Sequence, residues 1–511
     1  MSIDADGLRA SIAETWPKLT RGLAHLAEAA RDPKLPSDAR PRVYIARSES
    51  LERVIEDVRA AAGSGVLDEV EIRRLPTEAA ELGTKGAPHG LLYLPGDYVV
   101  PGGRFNELYG WDSLFIQRGL YLSGHTELGS SMLAQMSYEI ERYGFVLNAN
   151  RSYYLTRSQP PLFSQMVVAA ERADPSAERL RRLLPMLERN LSLWIGGPHL
   201  DASTGLSRYR DYGHGPADEV LADEIDAEGR DHYDRIALRL LEDRAQGADV
   251  DRFLTADGRL THLAFLGDRS MRESGFDTSD RFGPLSLDIP RYAPVCLNTF
   301  LWMYERDLAE MWTAVGMAER GQAWRAHADA RGEVLRRLAF DPREGMFFDV
   351  WLGDDAPRTP YPFLTTFLPL FAGLASPEEA EAVRAQLHRF ERRGGLVCSP
   401  HVTGCQWDAP FAWAPLHLFA VGGLHRYGFV EDARRVAGRL IETIHSDWKN
   451  TGVFKEKYDA EAGSGDVESG LRYGYATNEI GFGWTNGVVL ELLRYLETGF
   501  IELPGEPIRP A

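Results

Sequence analysis

Cysteine is scarce in this chain of 511 residues, with only Cys296, Cys398 and Cys405. Three scattered thiols cannot build a disulfide framework, and no CxxC pair is present to hold zinc. Such residues ordinarily serve as small buried hydrophobes. Long apolar runs are also missing, and none approaches the roughly 18 residues that a bilayer span requires. The opening MSIDADGLRASIAETWPKL has acids early and no apolar stretch of signal-peptide length, so a reduced, cytoplasmic protein is expected. Positive charge is in deficit: 57 Lys and Arg against 75 Asp and Glu leave a formal net charge of −18. A surface of that sign repels nucleic acid and anionic membranes, and neither is expected as a partner. No HExxH or comparable ligand spacing occurs, so no metal is expected.

The rest is ordinary for a globular protein, with 44% hydrophobic and 26% charged residues. Length alone allows several domains, but no disorder-like linker divides the chain, so residues 1–511 are expected to form one. Residues 5–31 place Leu8, Ile12, Trp16, Leu19, Leu23 and Leu26 at spacings of three and four, which predicts a helix. Asp32 to Arg42 is a proline-rich connector, and Leu51 to Val58 marks a short helix. Val66 to Pro76 and Gly90 to Pro95 read as strands or extended passages. From Asp112 onward helical spacing dominates, for example Leu114 to Tyr121, Glu127 to Tyr143, Ser176 to Trp194, Arg320 to Ala339 and Thr485 to Tyr495. Ser376-Pro377-Glu378-Glu379 has a cap, a first-turn proline and acids at the positive end of the helix dipole. Many helices joined by Gly-rich, aromatic loops point to an all-α toroid of helical hairpins rather than a parallel sheet. Asp218 to Asp234 holds eight acids and reads as a solvated loop, with a mobile lid as the alternative.

The chain is organised around VPGGRFNELYGWDSLF, Val100 to Phe115. Pro101, Gly102 and Gly103 open it as a loop. Arg104, Glu107, Trp111 and Asp112 follow, a mixture suited to sugars: aromatic faces stack on apolar ring faces, while carboxylates and guanidinium groups bond hydroxyls. The plain alternative is a surface loop feeding a helix capped by Asp112. A second stretch, QWDAPFAWAP, covers Gln406 to Pro415. Together they resemble the two signatures of the trehalase family of glycoside hydrolases: PGGRF followed by E, Y and WD, then QWD-x-P followed by WAP. The resemblance runs from Pro101 to Val488. It implies an (α/α)6 barrel with its active site at the loop-rich mouth, residues 1–95 as N-terminal decoration, and no cofactor.

Hydrolysing a glycosidic bond takes two carboxyl groups, and composition cannot choose a pair among 75 acids. The resemblance does choose. ESGFDTSDRF, Glu273 to Phe282, is similar to the family's ESGWD segment and places the general acid at Asp277. KEKYD, Lys455 to Asp459, is similar to its EKYD segment and places the general base at Glu456. The plain roles for these two are a turn aspartate and a partner of the flanking lysines. The family inverts configuration, which implies a water between the base and the anomeric carbon. Sugar-holding positions carried over are Arg104, Phe105, Trp111 and Asp112, then Asn148, Arg157 and Gln159 from NANRSYYLTRSQPP. Gln406, Trp407 and Asp408 come from the second signature, and Trp484 from GFGWTNG. For each aromatic, core packing is the alternative.

The pattern fails in places. The family's PRPESY-like segment, which holds the second glucose, corresponds to Gly215-Pro216-Ala217-Asp218-Glu219-Val220. Its arginine is missing, and Asp218 or Glu219 stands for its glutamate; Asp218 is taken as the site residue. Phe411 replaces a frequent asparagine, and the run after EKYD is altered to AEAGSGDVESG. These departures fall on the leaving-group side. The resemblance implies most simply α,α-trehalose as substrate, and these departures bring in a glucosyl or mannosyl conjugate of glycerate or glycerol as the alternative. Arg208, Arg210, His214 and His232 are candidates to pair with an anionic leaving group. A non-catalytic sugar binder on the same barrel is the third reading.

Overall fold

In the computed structural model all residues are described except 1–2, 35–39, 78–81, 83–85, 221–224, 227, 354–358, 468–470, 476 and 507–511. Twelve of its helices build two layers. In chain order they are α1 (Ala5–Leu19), α2 (Asp112–Leu122), α3 (Thr126–Tyr143), α4 (Phe163–Ala173), α5 (Ala177–Trp194) and α6 (Val295–Ala314). Then come α7 (Ala318–Ala339), α8 (Leu368–Ala372), α9 (Pro377–Ala385), α10 (Ala414–Arg426), α11 (Val430–Thr451) and α12 (Gly483–Thr498). The even-numbered helices pack in sequence, α2 on α4, α4 on α6, α6 on α8, α8 on α10, α10 on α12, and α12 back on α2. That closes a ring of six.

Sequence explains which helices go inside. Every residue of α2 from Asp112 to Leu120 is buried, as is every residue of α10 from Ala414 to Leu424. A helix as nearly apolar all round as α10 must be enclosed, whereas α2 also buries Asp112, Ser113, Gln117 and Arg118, the last paired with Glu491 at 2.8 Å. The outer helix α7 buries only a stripe, including Ala328, Leu335 and Ala339. α9 is held in the outer layer by Arg336 of α7 on Glu379 and by Arg384 on Asp432 of α11. Its Ser376 cap and Glu379 form a reciprocal capping box, as the start signal predicts.

α1 also belongs to the outer layer. It packs on α12, Trp448 of α11 donates from Nε1 to Ser11, and the Trp16 indole donates to Ser123. Residues 1–95, expected as decoration, thus divide into an outer-layer helix and a small appendage. The predicted helix over 5–31 breaks after Leu19, because Thr20–Arg21 pairs antiparallel with Tyr98–Val99. A parallel sheet follows, with β1 (Arg42–Ile45) between β2 (Glu71–Arg74) and β3 (Leu91–Leu92). One hydrophobic cluster runs from Leu8 to Leu503 through both layers.

Two helices went unforeseen, His232–Ala245 and His262–Glu273. Both are rich in charge, and with Tyr233, Ile236, Leu240 and Phe253 they enclose a separate small core. Asp231 caps the first of them, so part of the acid-rich stretch is a helix start and not a loop. Residues 221–224 and 227 of that stretch lie outside the described residues. The three cysteines are buried and unpaired, and among the described residues no helix is long and apolar enough to cross a membrane.

A glycine lets two inner helices approach closely. A Cβ on Gly487 of α12 would lie 2.0 Å from the Phe115 carbonyl oxygen of α2. Backbone cannot yield there as a side-chain tip can. Gly487→Ala is therefore expected to destabilise the fold by about 1–3 kcal/mol, the usual cost of overpacking, read as a lower urea midpoint at unchanged slope.

Candidate active site

Four of the motifs lead into inner helices: Pro101–Trp111 into α2, 148–161 towards α4, Gln406–Trp413 into α10 and 481–482 into α12. Loops therefore collect at the N-terminal end of the ring. A short ladder ties two of them, with β4 (Phe411–Trp413) antiparallel to β5 (Lys457–Asp459) and Trp413 opposite Lys457. The loops enclose a cavity of about 740 Å³ including its open mouth.

Arg104, Phe105, Trp111, Asp112, Asn148, Arg157, Gln159, Asp277, Trp407, Glu456 and Trp484 line this cavity. Residues from nearly the whole length of the chain meet there. Three of the sugar-holding positions expected from the resemblance do not line it. Gln406 lies behind Asp277, donating from its amide to the Asp277 carbonyl. Asp408 braces a loop, accepting from Ser399 at 2.6 Å, Thr403 at 2.7 Å, Tyr361 at 2.8 Å and the Asp280 N–H at 3.0 Å. Asp218 pairs with His89 at 2.8 Å, and its neighbour Glu219 takes the cavity position. The two acids sit in a 3₁₀ turn, Asp218–Val220, whose consecutive side chains diverge by a third of a turn. None of Arg208, Arg210, His214 and His232 lines the cavity; Arg208 pairs with Asp201 and His232 with Asp268.

Several wall residues were not anticipated: Lys34, Tyr109, Tyr154, Arg272, Trp413, Tyr475 and Phe482. Lys34 comes from the proline-rich connector and is buried against Glu107 at 2.8 Å. Arg272 sits four residues after Asp268 on one helix, and that i,i+4 pair at 3.1 Å is the signal that marks it. It brings to the wall a guanidinium that the Gly215–Val220 stretch lacks. Tyr475 lies between the altered run after EKYD, which ends at residue 470, and GFGWTNG, where no motif covers it.

The aromatic wall is cross-braced. Trp407 stacks on Trp413 with centroids 4.0 Å apart, and Trp484 meets both edge-on. Trp413 donates from its indole N–H to the Gln406 carbonyl at 2.9 Å, and Trp484 to the Glu456 carbonyl at 3.1 Å. Buried indoles thereby fix the backbone on which the cavity carboxylates ride. Glu273, four residues before Asp277 at the end of its helix, ties that helix end to neighbouring loops: its carboxylate accepts from the Ser158 and Arg210 N–H groups at 3.2 and 2.6 Å and from His199 at 3.2 Å.

Charge in the cavity is balanced closely. Burial pushes the Asp277 carboxyl up to about 6, with Arg272 at 3.9 Å opposing the rise. Burial also raises Glu456, opposed by Lys457 at 3.3 Å and by a hydrogen bond from Tyr475. Asp112 is pushed well up, by burial first and then by the charges of Glu456 and Asp277. Burial works against a charge on Glu219 too, but Arg157, Arg272 and Arg269 outweigh it and hold that carboxyl low. Carboxyl groups in one cavity with differently tuned acidity suit acid–base work. Among the described residues no group of three or more His, Cys, Asp or Glu could hold a metal ion.

The sequence model of the trehalase family matches residues 45–497. A cytosolic neutral trehalase from Pyricularia oryzae is 33% identical, over 92% of this chain and 71% of that one. A cytosolic neutral trehalase from Saccharomyces cerevisiae is 31% identical, over 94% and 70%. The solved neutral trehalase of Saccharomyces cerevisiae superposes with a TM-score of 0.79 at 30% identity, covering 97% of this chain and 94% of its own. A mannosylglycerate hydrolase from Thermus thermophilus superposes at 0.52 with 20% identity, over 77% and 95%, a likeness of fold alone. By family match, identity and fold together, this chain belongs to the trehalase family.

Proposed function

We propose that the protein is an inverting glycoside hydrolase that cleaves α,α-trehalose into two glucose molecules in the cytosol. The observation that carries this reading is the meeting of Asp277 and Glu456 on one aromatic-walled cavity. Asp277, raised to about 6, keeps its proton into the range where it is needed and gives it to the glycosidic oxygen. Glu456, whose anion is favoured by Lys457 and Tyr475 against the pull of burial, takes a proton from the attacking water. Trp111, Trp407 and Trp484 offer faces and edges to the sugar rings, and Asp112, Asn148 and Gln159 offer polar groups to hydroxyls. The cytosolic location rests on the names of the fungal relatives.

The leaving group is argued from the cations. A glycerate conjugate carries a carboxylate and needs a cation to receive it. Arg157 is already paired with Glu219 and Asp211, Arg272 with Asp268, and Lys34 with Glu107, while Arg104 lies over the ring of Tyr475, on the side of Glu456. With these positive groups neutralised, an uncharged leaving sugar fits better than an anion, which would have to displace a buried carboxylate. Assayed against trehalose, glucosylglycerol, glucosylglycerate and mannosylglycerate, the enzyme is expected to release sugar from trehalose at least about 100-fold faster than from either glycerate conjugate. That is a difference of roughly 2.7 kcal/mol in transition-state binding. Faster release from a glycerate conjugate would reverse the assignment.

A further inference from the structure

Tyr475 lies between the altered run AEAGSGDVESG, residues 460–470, and GFGWTNG, and its surroundings are unusual for a phenol. Its hydroxyl donates to Oε1 of Glu456. Its ring meets the Arg104 guanidinium at 5.0 Å, and the Lys457 ammonium lies 4.0 Å from its centroid. Phe105 packs edge-on at 5.7 Å. Lys457 itself reaches the other carboxylate oxygen, Oε2, at 3.3 Å, and it is further anchored by the Thr477 carbonyl at 3.2 Å. Each oxygen of the Glu456 carboxylate therefore has one donor, and the ring that carries one donor is packed against the other.

We propose that Tyr475 is a positioning residue for the base: its hydroxyl on Oε1, with Lys457 on Oε2, fixes the Glu456 carboxylate in orientation and in its ionised form. This rests on the reading of Glu456 as the base. The donors fix the carboxylate plane, and each oxygen keeps lone pairs for the water. A charge-assisted bond favours the charged form of its acceptor, which offsets the burial that disfavours it. Tyr475 can serve across the working range because burial and the neighbouring Glu456 and Asp277 charges hold its own proton on far above 10. The other charged groups facing this pair are Lys457, Glu479, Asp112 and Arg104.

The test is Tyr475→Phe, which keeps the ring between Arg104 and Phe105 and removes only the hydroxyl. In the pH profile of kcat/KM on trehalose, the acidic limb reports the base in the free enzyme. The expected result is a shift of that limb upward by about one pH unit, a tenfold change in the base's protonation equilibrium, with kcat at the optimum about 10-fold lower. An unmoved limb, whether kcat falls or KM rises, would overturn the proposal and leave Tyr475 a packing or sugar-contact residue. Glu456→Gln is run alongside. If it is inactive while the Tyr475→Phe limb stays put, only this inference fails; if it remains active, the base assignment fails as well.

Discussion

Asp277→Asn is expected to lower kcat on trehalose by about 10³-fold while making the folded protein more stable above pH 6. The activity loss follows from removing the proton donor, a contribution of order 10²–10⁴. The stability change follows from linkage. The carboxyl has a folded value of about 6 against 3.8 unfolded. Because the folded value is raised, the folded state binds more protons between these values, and wild-type stability falls as pH rises from about 4 through 6. The variant has no such group to ionise. Its advantage should be absent below pH 4, grow across the window and level off above it. With the side chain 29% exposed, water moderates the size of the effect but not its sign. Urea midpoints at pH 4, 6 and 8 beside steady-state kinetics make the check. A variant that loses activity and stability together at pH 8 would show a structural acid.

Much of the barrel was legible because its signals are local. The helical spacing of Leu114 to Tyr121 falls within α2, and Ser376-Pro377-Glu378-Glu379 starts α9 by capping alone. What sequence does not carry is partnership across the chain. The spacing in residues 5–19 predicts a helix, but only contact with α12 and with Trp448 makes it an outer-layer member. Pattern also fails where charge replaces apolar spacing, as in His232–Ala245 and His262–Glu273, which hold Arg272 and deliver the chain to Asp277. For the site, motif matching places a residue only to within its segment. It could not divide Asp218 from Glu219, since which of two adjacent acids faces the cavity depends on one short 3₁₀ turn. Nor could it weigh Tyr475, whose role depends on an oxygen 19 residues away. Gln406 and Asp408 show the reverse case: motif residues whose bonds go to the Asp277 carbonyl and to Ser399, Thr403 and Tyr361, supporting the wall from behind.

Glu456→Gln should match Asp277→Asn in its effect on trehalose, about 10³-fold in kcat, yet differ from it on a substrate whose leaving group needs no proton. Fluoride leaves as an anion, so α-glucosyl fluoride bypasses the general acid but still needs an activated water. Asp277→Asn is expected to regain most of its loss on that substrate, and Glu456→Gln to regain little. The two side chains would thereby be assigned opposite tasks rather than a shared one. Stereochemistry gives an independent reading of the wild type. Water delivered by Glu456 to the face opposite the leaving oxygen turns one sugar over, so the first turnovers of α,α-trehalose should yield one β-glucose and one α-glucose, resolved by NMR before mutarotation. Two α-glucose molecules would mean a covalent intermediate, with one carboxylate attacking directly.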